Sequence, residues 1–321
     1  MIQNELTNKF VLIFEIIRHL LKKYTRDNRM SQEKSLENNL IFTGTCQAGT
    51  GVVAAVTGFL ASRNCYICAL EQFDDESTDK FFMRAVFRPQ KDSPAVEKIT
   101  EDFAVIAESF DMEWKFHRPQ IAVKTIILVS KYDHCLDDLL YRRRKGEINM
   151  EITAVVSNHQ ELRPMVEREG IRFVHLPITA ATKTQQEHRL IEIVNETNSE
   201  LVVLARYMQI LSNELTEKLS GKCINIHHSF LPGFKGAKPY HQAFDRGVKV
   251  IGATAHYVTS DLDEGPIIEQ ILTRVDHTYD AQQLVGVGRD NECLALAKAV
   301  KYHLERRVFL DGNKTVVFLG S

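Results

Sequence analysis

Two polar side chains lie two residues apart at the end of an apolar segment. Asn225 and His227 belong to a segment that begins at Cys223 and continues into a loop rich in Pro and Gly. On a strand, residues two apart point to the same face, so we expect both side chains to face one site. Asn donates hydrogen bonds, and His donates them or carries a proton. The pair is therefore suited to an oxygen that gains negative charge during a reaction.

A second segment carries carboxylates. It begins at His256, leaves an apolar stretch and enters a loop that contains Asp261, Asp263 and Glu264 before a Gly-Pro pair. A carboxylate beside a His and an amide donor can activate water, and it is a stronger base where burial raises its pKa. From the residues alone, any of the three acids could be the base.

The spacing of these residues resembles the active-site pattern of the folate-dependent formyltransferase family. The pattern is Asn-x-His-x-Ser-x-Leu-Pro from Asn225, followed by His-x6-Asp-x-Gly-Pro-Ile-Ile from His256. The resemblance runs from about Leu40 to the C-terminus and is strongest to the hydrolases of the family. It implies that Asp263 is the catalytic carboxylate, that Asn225 and His227 stabilise the oxyanion, and that His256 binds the carboxylate or its water.

The resemblance also implies the residues of a pterin pocket. Residues 205–211 have the sequence Ala-Arg-Tyr-Met-Gln-Ile-Leu, and the positions of Met208, Ile210 and Leu211 line that pocket in the family. The same three residues are also suited to core packing. Gln209 stands where transferases of the family often have an Arg. Together with Gly265, these four residues form the predicted substrate-binding set.

The segment after the first strand of the predicted catalytic domain bears on the choice between hydrolysis and transfer. Family members that formylate a ribonucleotide carry a Gly-rich loop there, and such loops expose backbone N–H groups to phosphate. Residues 130–138 of this chain contain no Gly and three Asp, whose charges would repel phosphate. The expected reaction is therefore hydrolysis of 10-formyltetrahydrofolate to formate and tetrahydrofolate. In the family this reaction balances the one-carbon folate pool and supplies formate for purine biosynthesis.

Two other functions stay open from the sequence. One is a formyltransferase that acts on an amine such as glycinamide ribonucleotide. The other is a non-catalytic, amino-acid-sensing regulator that binds folate, although the intact set of Asn225, His227 and Asp263 disfavours it. We expect no cofactor, since the folate is the substrate, and no metal, since His227 and His228 lack a credible set of further ligands.

The region before the catalytic domain has the apolar spacing of a β-α-β-β-α module. The predicted strands cover residues 40–46, 65–73 and 81–87, and the predicted helices cover 52–61 and 95–110. This order is ferredoxin-like, and with its Gly-containing first turn it resembles an ACT domain. That resemblance implies glycine and methionine as effectors, bound near Gly49 and Gly51 between paired modules of a homo-oligomer. Gln47 and Ala48 replace the Asp and Pro usual in this turn.

The remainder of the chain alternates apolar strands with helices. Residues 121–130 form an apolar run typical of a parallel strand that is buried on both faces. The other predicted strands are 154–157, 173–176 and 201–205, the predicted helices are 135–145, 160–169, 185–195 and 290–305, and a hairpin closes the chain. This alternation predicts an α/β fold with a doubly wound, mostly parallel sheet. The predicted domains are an N-terminal extension (1–38), an ACT regulatory domain (39–115) and a formyltransferase-like catalytic domain (121–321), with a linker over 114–120.

Composition limits the possible partners and location. The chain has 321 residues, enough for two domains, and a net charge of −2, which gives no electrostatic reason to expect nucleic acid. Six Cys without framework spacing predict a reducing, cytoplasmic location. The pair Cys65 and Cys68 is expected to diverge on a strand. Residues 10–21 are apolar but too short and too charged to span a membrane, which favours an amphipathic helix, and Met30 is an alternative start.

Overall fold

The structure is a computed structural model that describes residues 38–231 and 239–320. The predictions for the N-terminal extension, including the amphipathic helix and the alternative start at Met30, lie outside the described residues. The chain divides into two compact units, one ending at Gln120 and the other beginning at Ile121. In the described part of the chain, no helix is both long and apolar enough to cross a membrane.

The described part of the N-terminal unit has a β-α-β-β-α-β order. Its elements are β1 (Leu40–Gln47), α1 (Val52–Ser62), β2 (Cys65–Asp75), β3 (Lys80–Pro89), α2 (Val96–Ser109) and β4 (Glu113–His117). The strands pair antiparallel in the order β2-β3-β1-β4, and the apolar faces of both helices pack in the same core. This arrangement is ferredoxin-like, as predicted. The assignment to ACT domains stays a prediction.

β4 corrects the predicted linker. Residues 114–120 were expected to form a linker, but the first four of them belong to a strand that pairs with β1. Trp114 and Phe116 point inward and pack against Phe103, with ring centroids 4.7 and 5.4 Å apart. Charged residues alternate with these aromatic residues, so the segment is polar in composition but has the period of a half-buried strand.

The second unit is built on a seven-stranded sheet. Its elements are β5 (Val123–Val129), α3 (His134–Arg144), β6 (Met150–Ser157), α4 (Arg163–Arg168), β7 (Phe173–His175), α5 (Lys183–Glu196), β8 (Leu201–Leu204), α6 (Asn213–Lys218), β9 (Cys223–His227), α7 (Pro239–Asp245), β10 (Val250–Tyr257), β11 (Ile267–Arg274), α8 (Ala281–Leu304) and the hairpin β12 (Val308–Asp311) and β13 (Lys314–Val317). The strand order is β11-β10-β9-β8-β5-β6-β7. Strands β5 to β9 are parallel, and β10 is antiparallel to both of its neighbours, β9 and β11. The predicted doubly wound sheet and the hairpin are confirmed.

The direction of strand addition reverses at β5. The chain adds β6 and β7 on one side of β5 and then returns to add β8 and β9 on the other side. In doubly wound sheets, ligands bind in the crevice outside the carboxyl ends of the strands at such a reversal. This crevice therefore lies between the loops that follow β5 and β8.

β5 lies at the centre of the sheet because both of its faces are apolar. Ile126 and Leu128 pack in the core on one side of the sheet, and Ile127 and Val129 pack in the core on the other side. All four side chains are fully buried. Burying each of them contributes about 1.5–3 kcal/mol by the usual scale of hydrophobic transfer.

α8 begins nine residues earlier than predicted. Asp280 caps its first turn, since its side chain accepts from the Gln283 backbone N–H and the Gln283 side chain accepts from the Asp280 N–H. Gly286 and Gly288 disfavour a helix, which hid this start in the sequence. Gly288 has a packing role, because a Cβ there would lie 2.1 Å from the Tyr240 ring.

His303 gives the fold a pH-dependent contact. The Tyr257 hydroxyl donates to His303 Nδ1 at 2.7 Å, joining the end of α8 to the end of β10. Burial, followed by the positive charge of Arg306, lowers the pKa of His303 to about 3 from its ordinary value of 6.5. In the unfolded chain His303 therefore binds a proton as the pH falls below 6.5. In the folded chain His303 does not bind one until about pH 3.

We expect the free energy of unfolding to fall with pH below 6.5, and the contribution of His303 to that slope to be at most about 1.4 kcal/mol per pH unit. The variant His303→Gln keeps an acceptor for Tyr257 and should lose this contribution. Urea unfolding at several pH values between about 5 and 6.5 measures the slope. His188→Gln, at a side chain that is 61% exposed, is the matched control. Equal slopes for wild type and His303→Gln would contradict the expectation.

Candidate active site

The four predicted catalytic side chains lie together on one face of β9 and β10. Asn225 and His227 are two residues apart in β9, and His256 of β10 lies directly opposite Asn225 in the antiparallel pairing. The loop between β10 and β11 folds back over this face, so that Asp263 Oδ2 lies 3.2 Å from His227 Nδ1. The structure therefore brings the two motifs of the sequence into one cluster.

The hydrogen bonds of His256 fix the orientation of its ring. Its Nδ1 donates to the Tyr257 carbonyl at 2.8 Å, which leaves Nε2 to accept from Asn225 Nδ2 at 3.3 Å. Burial lowers the pKa of His256, although the Tyr257 carbonyl and Asp263 partly offset this effect. Its Nε2 is 3.8 Å from Asp263 Oδ1, which is too long for a direct hydrogen bond. His256 is thus placed to accept from the Asn225 amide and to orient it.

Asp263 is held as a carboxylate. Burial raises its pKa, but the hydrogen bond and charge of His227 outweigh burial, so the pKa lies below its ordinary value. The expected gain in basicity from burial is therefore absent. Asp263 has φ of +58°, a left-handed conformation that Asp adopts more readily than most residues. A role of Asp263 as a base would therefore rest on its position beside His227 rather than on a raised pKa.

Gly265 has a structural position rather than a place in the cavity. It is buried, and a Cβ there would lie 1.8 Å from the Tyr257 carbonyl oxygen. The Pro266 carbonyl accepts from the Tyr257 N–H at 2.9 Å, which closes the loop. The close approach that Gly permits lets the loop return and present Asp263. The predicted substrate contact of Gly265 has no support in this geometry.

A cavity of about 240 Å³ opens beside the catalytic cluster. The other predicted substrate-binding residues line it, namely Met208, Gln209, Ile210 and Leu211. Met208 and Ile210 are 51% and 62% exposed, so they do not serve as core residues in this chain. Apolar side chains exposed in a concave site are typical of a surface that binds a flat, apolar ligand group.

His227 has a polar atom that awaits a ligand. The residue is 5% exposed and lines the cavity, and its Nε2 has no hydrogen-bond partner among the described residues. Leaving a buried donor or acceptor unpaired costs about 1–3 kcal/mol. Since Nδ1 already faces Asp263, the free Nε2 is the atom that can bond to a substrate oxygen or nitrogen.

The sequence did not reveal a buried ion-pair network beside this cavity. Glu292 of α8 is 1% exposed and accepts hydrogen bonds from His134 Nε2 and the Tyr240 hydroxyl, both at 2.8 Å. Arg206 Nε lies 3.2 Å from the same carboxylate, and Arg206 also lines the cavity. In the sequence, only the position of Glu292 among apolar residues of a helix indicated this network, because its partners come from distant segments of the chain.

The network also offers the one cluster of metal-ligand type found among the described residues. Ligand atoms of His134, Cys135 and Glu292 lie within 4.8 Å of one another. The Arg206 guanidinium shares the Glu292 carboxylate, and its positive charge disfavours a cation at this place. In the N-terminal unit, Cys65 is buried and Cys68 is exposed, as expected for diverging side chains.

The predicted effector residues lie in the turn between β1 and α1. Gly49 and Gly51 are both exposed, and Gly51 precedes α1 with φ of +96°, a conformation that favours Gly. Gln47 Nε2 donates to Asp79 Oδ2 at 2.8 Å, so the side chain that replaces the usual Asp ties the turn to the neighbouring loop. An effector at this turn stays a prediction.

Comparisons with known proteins agree with this geometry. The formyl transferase family model matches residues 123–300, which is more than half of the chain. A curated formyltetrahydrofolate deformylase from Corynebacterium sp. (strain P-1) is 51% identical over 277 residues, covering 86% of this chain and 97% of that protein.

Two crystal structures, one more and one less similar to this chain, have the fold of this family. Formyltetrahydrofolate deformylase from Burkholderia mallei is 52% identical with a TM-score of 0.84, covering 88% of this chain and 99% of that one. Glycinamide ribonucleotide transformylase 1 from Symbiobacterium toebii is 27% identical with a TM-score of 0.58, covering 63% of this chain and 96% of that one. The transformylase therefore matches little more than the catalytic unit, while the deformylases match both units. This chain belongs to the formyl transferase family and, within it, to the formyltetrahydrofolate deformylases.

Proposed function

We propose that this protein hydrolyses 10-formyltetrahydrofolate to formate and tetrahydrofolate. The observation that carries the proposal is the pairing of Asp263 with His227, whose free Nε2 faces the same cavity. The carboxylate of Asp263, the proposed base for water, lies at Nδ1 of the His227 imidazole, and Nε2 on the other side of the ring is left to donate to the substrate. This arrangement is suited to the addition of water to a formyl carbon.

The proposed reaction begins with a water held by Asp263. As the water oxygen bonds to the formyl carbon, Asp263 accepts a proton, and Asn225 Nδ2 and His227 Nε2 stabilise the resulting oxyanion. The bond from the formyl carbon to N10 then breaks, and His227 delivers a proton to N10. Formic acid leaves, and both it and Asp263 release a proton to solvent. His227 Nε2 takes up one proton from solvent while Nδ1 keeps its contact with Asp263, which restores the starting state.

The proposed substrate site is the apolar part of the cavity. The pterin would lie on Met208 and Ile210, with Leu211 behind them and Gln209 offering a neutral amide to its polar edge. We assign no cofactor and no metal. All six Cys of the chain are free, which favours action in the reducing cytoplasm.

Transfer to an amine is the second candidate, but the segment after β5 disfavours it. Residues 130–138 lack the Gly-rich loop that would bind a ribonucleotide phosphate, and α3 begins within them at His134. Formate release from 10-formyltetrahydrofolate, measured with and without glycinamide ribonucleotide, separates hydrolase, transferase and non-catalytic folate binder. Formate that appears without the amine supports the proposal, and formyl transfer that requires the amine would overturn it.

Replacing Asp263 by Asn should remove the base with little change in shape. We expect turnover to fall by at least about a hundredfold, the usual scale for a positioned general base, while folate binding is retained. Stopped assays of formate and binding titrations measure the two quantities. Asp261→Asn, the same change two residues away, is the matched control and should retain turnover. Turnover near the wild-type value in Asp263→Asn would rule out the assigned base.

The two oxyanion donors should act as a unit. His227→Ala and Asn225→Ala should each lower turnover by roughly 10²–10³-fold. In the double variant the losses should be less than multiplicative, because both donors serve one oxygen. A double-mutant cycle in turnover number measures this coupling. Fully multiplicative losses would show that the two groups act in separate steps.

We further propose that the N-terminal unit is an ACT domain that senses glycine or methionine and pairs within a homo-oligomer. The ferredoxin-like fold and the left-handed Gly51 at the β1–α1 turn support this assignment. Unregulated hydrolysis would drain an activated one-carbon unit, so a sensor is chemically sensible. An effector must bind two states of the enzyme unequally in order to change its activity.

Glycine or methionine should shift the rate of formate release by the full-length protein. Gly51→Ala should weaken that response, because a Cβ is unfavourable at φ of +96°. Gly58→Ala is the matched control, since its Cβ would meet nothing within 4 Å in α1. Titration of each amino acid measures the response, and sedimentation velocity measures the oligomer. If neither amino acid shifts the full-length rate, the proposed sensor is wrong.

A further inference from the structure

The two loops that border the ligand crevice of this sheet are bonded to each other. Ser130, which follows β5, donates its backbone N–H to the Arg206 carbonyl at 3.3 Å, and its Oγ accepts from the Met208 N–H at 3.0 Å. Arg206 lies two residues beyond the end of β8. The position at which a doubly wound sheet usually admits a ligand is therefore spanned by these two hydrogen bonds.

Side chains fill the same crevice. The Arg206 guanidinium lies 5.1 Å from the centre of the Tyr132 ring, within the distance of a cation–π contact. Arg206 is 9% exposed, and its Nε is 3.2 Å from the buried Glu292 carboxylate. His134 and Tyr240 donate hydrogen bonds to that carboxylate, whereas Arg206 Nε contacts it as an ion pair without a hydrogen bond. These four residues are joined through the Glu292 carboxylate beside the cavity, and we call them the closed group: Arg206, Glu292, His134 and Tyr240.

The closed group adjoins the reaction centre. His228 follows the proposed oxyanion donor His227, and the two rings have centroids 5.0 Å apart. The His228 ring is 6.4 Å from the Tyr240 ring, and Arg206, His227 and His228 all line the cavity. Burial, followed by the charge of Arg206, lowers the pKa of His228 to about 4, so the imidazole that follows His227 is neutral at neutral pH.

We infer that Arg206, held by Glu292 and covered by Tyr132, is the residue that excludes an amine from the site and leaves water as the formyl acceptor. Its side chain fills the crevice through which a second substrate would approach, and its positive charge repels a protonated amine. Water is small enough to reach Asp263 without this opening. The inference rests on the proposed function, because it concerns which acceptor completes that reaction.

Opening the crevice should allow a small amine to compete with water. The amine nitrogen would bond to the formyl carbon, the bond from that carbon to N10 would break, and N10 would take up a proton as the amine loses one. The products are a formamide and tetrahydrofolate, so no oxidant, reductant or further reactant is needed. The ratio of formamide to formate is then a direct readout of acceptor choice.

The test uses the full-length protein, 10-formyltetrahydrofolate and glycinamide at mildly alkaline pH, with both products measured by NMR. Arg206→Gly removes the side chain without backbone strain, because Arg206 has φ of +64°. We expect the ratio of formylglycinamide to formate to rise by at least about tenfold, the lower end of the discrimination that pocket shape provides. Arg306→Gly is the matched control, since Arg306 has φ of +56° and an ion pair with Glu200. It should leave the ratio unchanged.

Tyr132→Ala provides a second route to the same result, because Tyr132 is 50% exposed and its removal should be tolerated by the fold. It should raise the ratio in the same direction by a smaller factor. A ratio equal to that of wild type in Arg206→Gly, or in Tyr132→Ala if Arg206→Gly does not fold, overturns the inference. An equal rise in Arg306→Gly also overturns it. Formate release by wild type without glycinamide tests the proposed function separately.

Discussion

The contact between His227 and Asp263 is the interaction on which the candidate site depends. It joins a strand to a loop that must reverse direction to reach it, and the reversal requires the close approach of Gly265 to the Tyr257 carbonyl. It also requires a left-handed backbone at Asp263. These local costs are offset by the pairing of β10 with β9 and β11, which fixes the start and the end of the loop.

The site holds two carboxylates in the charged form and two imidazoles in the neutral form. The pKa of Asp263 and the pKa of Glu292 are both lowered, because hydrogen-bond donors and cations outweigh the effect of burial at each carboxylate. The pKa values of His228 and His256 are also lowered, chiefly by burial, so both imidazoles are neutral. Two carboxylates are thus held ionised in a region where apolar walls and neutral rings keep the dielectric low. Donors in such a region stabilise a developing oxyanion more than they would in water, which supports the roles proposed for Asn225 and His227.

The parts that local pattern determines were predictable from the sequence. The strands of the parallel sheet follow from continuous apolar runs, and the candidate catalytic residues, which the structure brings together, lie in two short motifs with the spacing of the family. Features set by distant partners were not predictable. The strand β4 needs β1 as its partner, and the start of α8 includes Gly288, whose value lies in its contact with Tyr240. The ion pair of Arg206 and Glu292 likewise joins residues from separate elements, and only the fold places them together.

The central claim is that a water activated by Asp263, with His227 as donor, attacks the formyl carbon directly. It is tested most directly by a single turnover in water enriched in oxygen-18, with enzyme in excess over 10-formyltetrahydrofolate. Direct attack predicts one atom of oxygen-18 in each formate and none in the Asp263 carboxylate, as read by mass spectrometry of both. Unlabelled formate together with a labelled Asp263 would contradict the account, because the carboxylate would then have attacked the formyl carbon itself.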